Sequence, residues 1–107
     1  MNFPDDETGH VLQEMQQAGV DLSQQHSVVF FNLFEKEAQA KEMVEVITKT
    51  MPEVIVNIHP DEMPNIWDVD CTIIMQPTHE KIIELEAHFE QIAEKLKGYN
   101  DGWGIEA

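Results

Sequence analysis

Ile66-Trp67-Asp68-Val69-Asp70-Cys71-Thr72-Ile73-Ile74-Met75 is the stretch on which the fold turns. Trp67, Val69, Cys71, Ile73 and Met75 fall on one side of an extended chain, and Asp68, Asp70 and Thr72 on the other. That period-2 alternation is the mark of a strand with one buried and one wet face. Working backwards, His59-Pro60-Asp61-Glu62-Met63-Pro64-Asn65, with its two prolines, reads as a polar loop, and Val54-Ile55-Val56-Asn57-Ile58 before it as another strand. Glu35 to Met51 reads as a helix stopped by Pro52. Ala40, Met43, Val44, Ile47 and Met51 line one face, and Glu37/Lys41 and Glu45/Lys49 form i,i+4 pairs in the favourable order.

Ser27 to Phe34 is rich in β-branched and aromatic residues and predicts the first strand. Before it lies a helix capped by Asp5 or Asp6, with an apolar stripe of Val11, Leu12, Met15 and Ala18, ended by Gly19 in a left-handed C-cap. Working forwards, Thr78 is the expected N-cap of a helix running to Lys97. Its buried side carries Ile82, Leu85, Phe89, Ile92, Ala93 and Leu96, and Gly98 is its expected stop. Tyr99 to Ile105 closes the chain as a short strand in which Asp101-Gly102 signals a turn, with a hairpin corner as the default reading.

The element order is therefore αβαββαβ. Without its first helix this is the split βαβ arrangement of an α+β, ferredoxin-like two-layer sandwich: a four-stranded antiparallel sheet with three helices on one face. One domain over 1–107 follows, with 1–22 as an added helix and connector and 27–105 as the core. The first and third strands take the centre of such a sheet. Its open face is expected to show Asp68, Asp70 and Thr72 beside Val28, Phe30, Asn32 and Phe34, although both sides of the first strand are apolar.

Twenty-one acids against six lysines give a formal net charge of −15, and the chain contains no arginine. Phosphate recognition leans on guanidinium groups, and nucleic-acid binding needs several cations to displace condensed counterions. Direct nucleic-acid binding is thus disfavoured, and Asp68 and Asp70 stand where an RNA-binding sheet would present stacking and basic side chains. So acidic a field attracts Arg/Lys-rich partners and speeds the encounter; solubility alone is the competing account. Cys71, the single cysteine, permits no internal disulfide, and with no basic-apolar leader at the N-terminus and no run of ~20 apolar residues the expected setting is the cytoplasm.

Glu86, Glu90 and Glu94 form a like-charge ladder at i,i+4 spacing. It reads either as a solvated face or as an acidic rail for a cationic partner. His59, Asp61, Glu62 and His79 lack any established metal-ligand spacing, and Cys71 alternates inward as a packed thiol. No nucleophile elbow, P-loop or dinucleotide fingerprint occurs, so neither catalysis, a metal nor a cofactor is expected. The glycines around Trp103 in Asp101-Gly102-Trp103-Gly104 allow positive φ or close backbone approach while the indole fills a pocket or stands at an edge.

The terminal Tyr99-Asn100-Asp101-Gly102-Trp103-Gly104 is close to the Y-D-G-W-G ending of the regulator of ribonuclease E activity B (RraB) family, which the chain resembles over its whole length. The leading Gly9-His10-Val11-Leu12-Gln13-Glu14-Met15, the Gly19-Val20-Asp21 before the first strand, and the element order carry the same resemblance. It implies a small bacterial inhibitor of ribonuclease E with a ferredoxin-like fold, binding the Arg-rich, non-catalytic C-terminal region of that enzyme. Family members carry a long acidic tail after D-G-W-G, where this sequence has Ile105-Glu106-Ala107, which leaves the partner or the strength of binding open. The residues expected to meet a protein partner are Asp68, Asp70, Glu86, Glu90, Glu94 and Asp101 as charges and Trp103 as an apolar anchor. A small-molecule site on the open sheet between Phe30, Phe34 and the His59 loop is the alternative.

Overall fold

The computed structural model describes residues 3–106. Its elements are α1 (Glu7–Gln17), β1 (His26–Phe34), α2 (Glu37–Thr50), β2 (Ile55–Pro60), β3 (Trp67–Met75), α3 (His79–Lys95) and β4 (Tyr99–Glu106), the expected αβαββαβ order. The strands form one sheet in the order β2-β3-β1-β4, and every neighbouring pair is antiparallel. α2 packs over β1, β2 and β3, α3 over β1 and β4, and α1 against α3, giving an α+β two-layer sandwich with its other sheet face open.

Local sequence sets the helix ends. Asp6 caps α1, its Oδ1 accepting from the Gly9 N–H at 2.7 Å, and Thr78 caps α3, its Oγ1 accepting from Lys81 N–H at 3.3 Å. Asp6 also meets the His79 ring at 2.7 Å and so ties the leading helix to the start of α3. At the other end of α1 the N–H groups of Gly19 and Val20 bond to the carbonyls of Gln16 and Met15, a Schellman closure with Gly19 at φ +97°.

The end of α3 departs from expectation. The left-handed position belongs to Lys97, at φ +64°, and Gly98 follows it, its N–H bonding to the Ala93 carbonyl at 2.7 Å. Gly98 is required for a different reason: a Cβ there would run into the Phe34 ring, which packs directly on the Gly98 backbone. Phe34 is fully buried, as are Phe30 and Phe89, whose ring centroids lie 5.3 Å apart.

Those buried rings correct the expected orientation of β1. Phe30 lies opposite Cys71, Asn32 opposite Val69 and Val28 opposite Ile73, and cross-strand partners share a face. Val28, Phe30, Asn32 and Phe34 therefore point into the core, and the open face shows Ser27, Val29, Phe31 and Leu33 instead. Alternation could not decide this, because both sides of the strand are apolar; the need for large rings beneath α2 and α3 does.

The D-G-W-G string is a bulge inside β4, not a hairpin corner. Phe30 faces Trp103 while Asn32 faces Asn100, so Asp101 and Gly102 together oppose Phe31 alone. Gly102 supplies the φ of +91° that the bulge needs, and its N–H donates to Asn100 Oδ1 at 2.9 Å. The extra residue resets the alternation: Trp103 and Asn100 face inward, while Tyr99 lies beside Leu33 on the open face.

Two glycine substitutions separate these causes. Gly98→Ala should destabilise the protein by about 1–3 kcal/mol through the clash with Phe34, and Gly102→Ala by about 1–2 kcal/mol through backbone strain alone, both read from urea unfolding midpoints. Replacing Phe34 with Leu should recover part of the loss at Gly98 and none at Gly102.

Candidate protein-binding surfaces

The sheet divides the expected partner-binding residues into two groups. On the open face, the β2–β3 register sets His59 opposite Asp68 and Asn57 opposite Asp70, while β1 sets Leu33 and Phe31 opposite the same two aspartates. His59 spans the pair, its Nε2 at 2.8 Å from Asp70 Oδ2 and its Nδ1 at 3.6 Å from Asp68 Oδ2. The carboxylate side chains keep only 15% (Asp68) and 20% (Asp70) of their exposure, and Oδ1 of Asp70 is shielded with no hydrogen-bond partner.

Asp61 joins them from the β2–β3 connection, where Asn65 takes φ +64° and the Asp61 N–H bonds to the Ile66 carbonyl at 2.8 Å. Burial pushes Asp68 up to about 6, helped by a hydrogen bond and charge from Asp61. Asp61 moves the other way, held down first by the Met63 N–H and then by Asp68, so a proton at this pair resides on Asp68. The hydrogen bond to Asp70 raises His59 above its ordinary value, against the opposing effect of burial.

His59 was expected in a loop, yet β2 runs on through Pro60 and carries it into register with Asp68. The β2–β3 register, not a local sequence signal, brings His59 opposite Asp68. Among the described residues no group of three or more His, Cys, Asp or Glu is arranged to hold a metal ion, and His79 is engaged with Asp6. Cys71 is fully buried, and burial pushes its thiol up to about 12.

The second group lies on the helical side. Glu86, Asp101 and Trp103 converge with Glu7, Val11 and Asn100 around a cleft of about 370 Å³ between α1, α3 and the β4 bulge. Glu86 is half-buried, and burial, then Glu90, then Glu7 raise it, with the Asn100 amide opposing them. Glu90 and Glu94 follow one and two turns on, exposed. The indole of Trp103 packs partly against the core, opposite Phe30. Phe30 and Phe34, the aromatic walls of the alternative small-molecule site, lie in the core and offer no surface to a ligand.

The open-face cluster has a definite pH signature. Asp68 binds its proton more tightly folded than unfolded, so its contribution to stability is complete below the unfolded value of 3.8 and lost as pH rises through about 6. His59, also raised, adds a further loss as pH climbs above its ordinary 6.5. Asp68→Asn keeps a donor for Asp61 and removes the ionisation. Urea unfolding should show it more stable than the parent by about 1–3 kcal/mol at pH 7.5 and little changed at pH 4.5; equal effects at both pH values would contradict the assignment.

The comparison with known proteins bears on the whole chain. No curated protein matches the sequence. A family model, Regulator of ribonuclease activity B, matches residues 5–105, which takes in the added helix α1, β1 to β3, all but the last residue of β4, and the D-G-W-G bulge. With a match of that extent on the αβαββαβ sandwich, the chain belongs to the regulator of ribonuclease activity B (RraB) family.

Proposed function

We propose that the protein is an acidic, protein-binding regulator, an inhibitor or modulator of a ribonuclease E-type endoribonuclease that docks on the basic, non-catalytic region of that enzyme. The observation that carries this reading is the charge of −15 with no arginine on a chain whose family regulates ribonuclease activity. Such a surface repels RNA and attracts cationic polypeptide, so regulation by binding the enzyme fits it better than competition for the substrate. Asp68, Asp70, Glu86, Glu90, Glu94 and Asp101 supply the charge, and Trp103 a large apolar side chain at the mouth of the helical cleft. The setting is the cytoplasm, where the RNA-degrading enzyme works, and neither a catalytic group nor a cofactor enters the proposal.

The test is retention on two immobilised forms of ribonuclease E, one complete and one truncated to its catalytic half. Binding to the complete enzyme alone is expected, with affinity falling by about tenfold or more between low and high salt. Equal retention on the catalytic half, or tight binding to RNA at ordinary ionic strength, would refute the reading.

A further inference from the structure

The six lysines are distributed unevenly. Lys36 precedes α2, Lys41 and Lys49 lie on it, Lys81 and Lys95 on α3, and Lys97 just beyond. No strand carries a cation other than through histidine, so the charged side chains of the helical layer are of mixed sign while those of the open sheet face are acidic around His59. That face is also apolar: Phe31 and Leu33 are half-buried, and Ile74 and Ile55 stand 62% and 55% exposed at the end away from Asp68. Nine-residue strands β1 and β3 make it about 30 Å long.

Resting on the function proposed above, we infer that the open sheet face is where the basic segment is seated: an extended polypeptide lies across β1 and β3, a cationic side chain takes the place of His59 beside Asp68 and Asp70, and apolar side chains cover Phe31 and Ile74. Charge complementarity selects this occupant. The two aspartates are largely withdrawn from water, with only a neutralisable imidazole between them and no lysine in reach on the strands, and a guanidinium or ammonium group would supply the missing charge. A second copy of the chain would bring the same aspartates against each other and is disfavoured on that ground. The ladder Glu86, Glu90 and Glu94 then acts at a distance, through the association rate, because it lies on the opposite layer.

The experiment measures association and dissociation rates for a fluorescein-labelled synthetic peptide of alternating Arg and Leu, and for the ribonuclease E C-terminal region, with three variants. Asp68→Asn/Asp70→Asn and Ile74→Ser alter the open face; Glu90→Gln/Glu94→Gln removes the same two charges from α3. The open-face variants should speed dissociation by about tenfold while remaining folded. The α3 variant should slow association by about two- to threefold and leave dissociation unchanged. Faster dissociation in the α3 variant, unchanged dissociation in the open-face variants, or binding of the ribonuclease region without the peptide would each overturn the seat on the sheet and leave the proposed function standing. If the parent protein binds neither ligand, the proposed function itself falls.

Discussion

The antiparallel register of β1 against β3 is the constraint from which the rest of the molecule follows. With Phe30 set opposite Cys71, the even-numbered residues of β1 share the core with the odd-numbered residues of β3, and Phe34 and Phe89 close around them. The same register sets Phe31 opposite Asp70 and Leu33 opposite Asp68 on the other side. A slip of one residue would drive two aspartates under the helices, at a cost of several kcal/mol per unpaired carboxylate. The apolar core and the acidic face are thus two consequences of one pairing.

That pairing leaves local free energy unspent. Asp68 is held partly dry beside Asp61 and Asp70, so the folded state prefers it protonated, and at neutral pH its charge works against folding. Nothing on the strands offsets it fully: His59 reaches Asp70 closely and Asp68 only at 3.6 Å. Asn32 shows the same tendency in neutral form, its Oδ1 unpartnered where it faces Asn100 across the bulge. A small domain with unsatisfied polar atoms on both sides of its sheet relies all the more on the packing of Phe30, Phe34 and Phe89 for its stability.

Most of the fold was legible in the sequence because its signals are periodic. The alternation of Trp67 to Met75, the 3.6-residue stripe from Ile82 to Leu96, and the caps Asp6 and Thr78 each state a local preference that tertiary packing leaves unchanged. The failures have a common cause. Which face of β1 turns inward, whether Asp101-Gly102 is a corner or a bulge, and what lies opposite His59 are all decided by a partner strand distant in sequence. Gly98 is a milder case: its sequence context suggests a helix stop, while the space beside Phe34 is what demands glycine. How the residues expected to meet a partner are grouped was not legible, since the sheet itself separates Asp68 and Asp70 from Glu86 and Trp103.

That separation makes an electrostatic division of labour the natural reading of the two layers. Coulomb attraction at long range depends on total charge and hardly on which layer bears it, so in the proposed encounter the exposed Glu90 and Glu94 would contribute from wherever they sit. Attraction at contact depends on desolvation, and a carboxylate already withdrawn from water gives up less hydration when a cation arrives than an exposed one does. Asp68 and Asp70, at 15% and 20% exposure, meet that condition, and in the proposed seat the apolar side chains beside them would exclude water from the contact. The folding free energy lost in holding Asp68 on the sheet is therefore what a bound cationic segment would restore, and such binding would couple the stability of the protein to its partner.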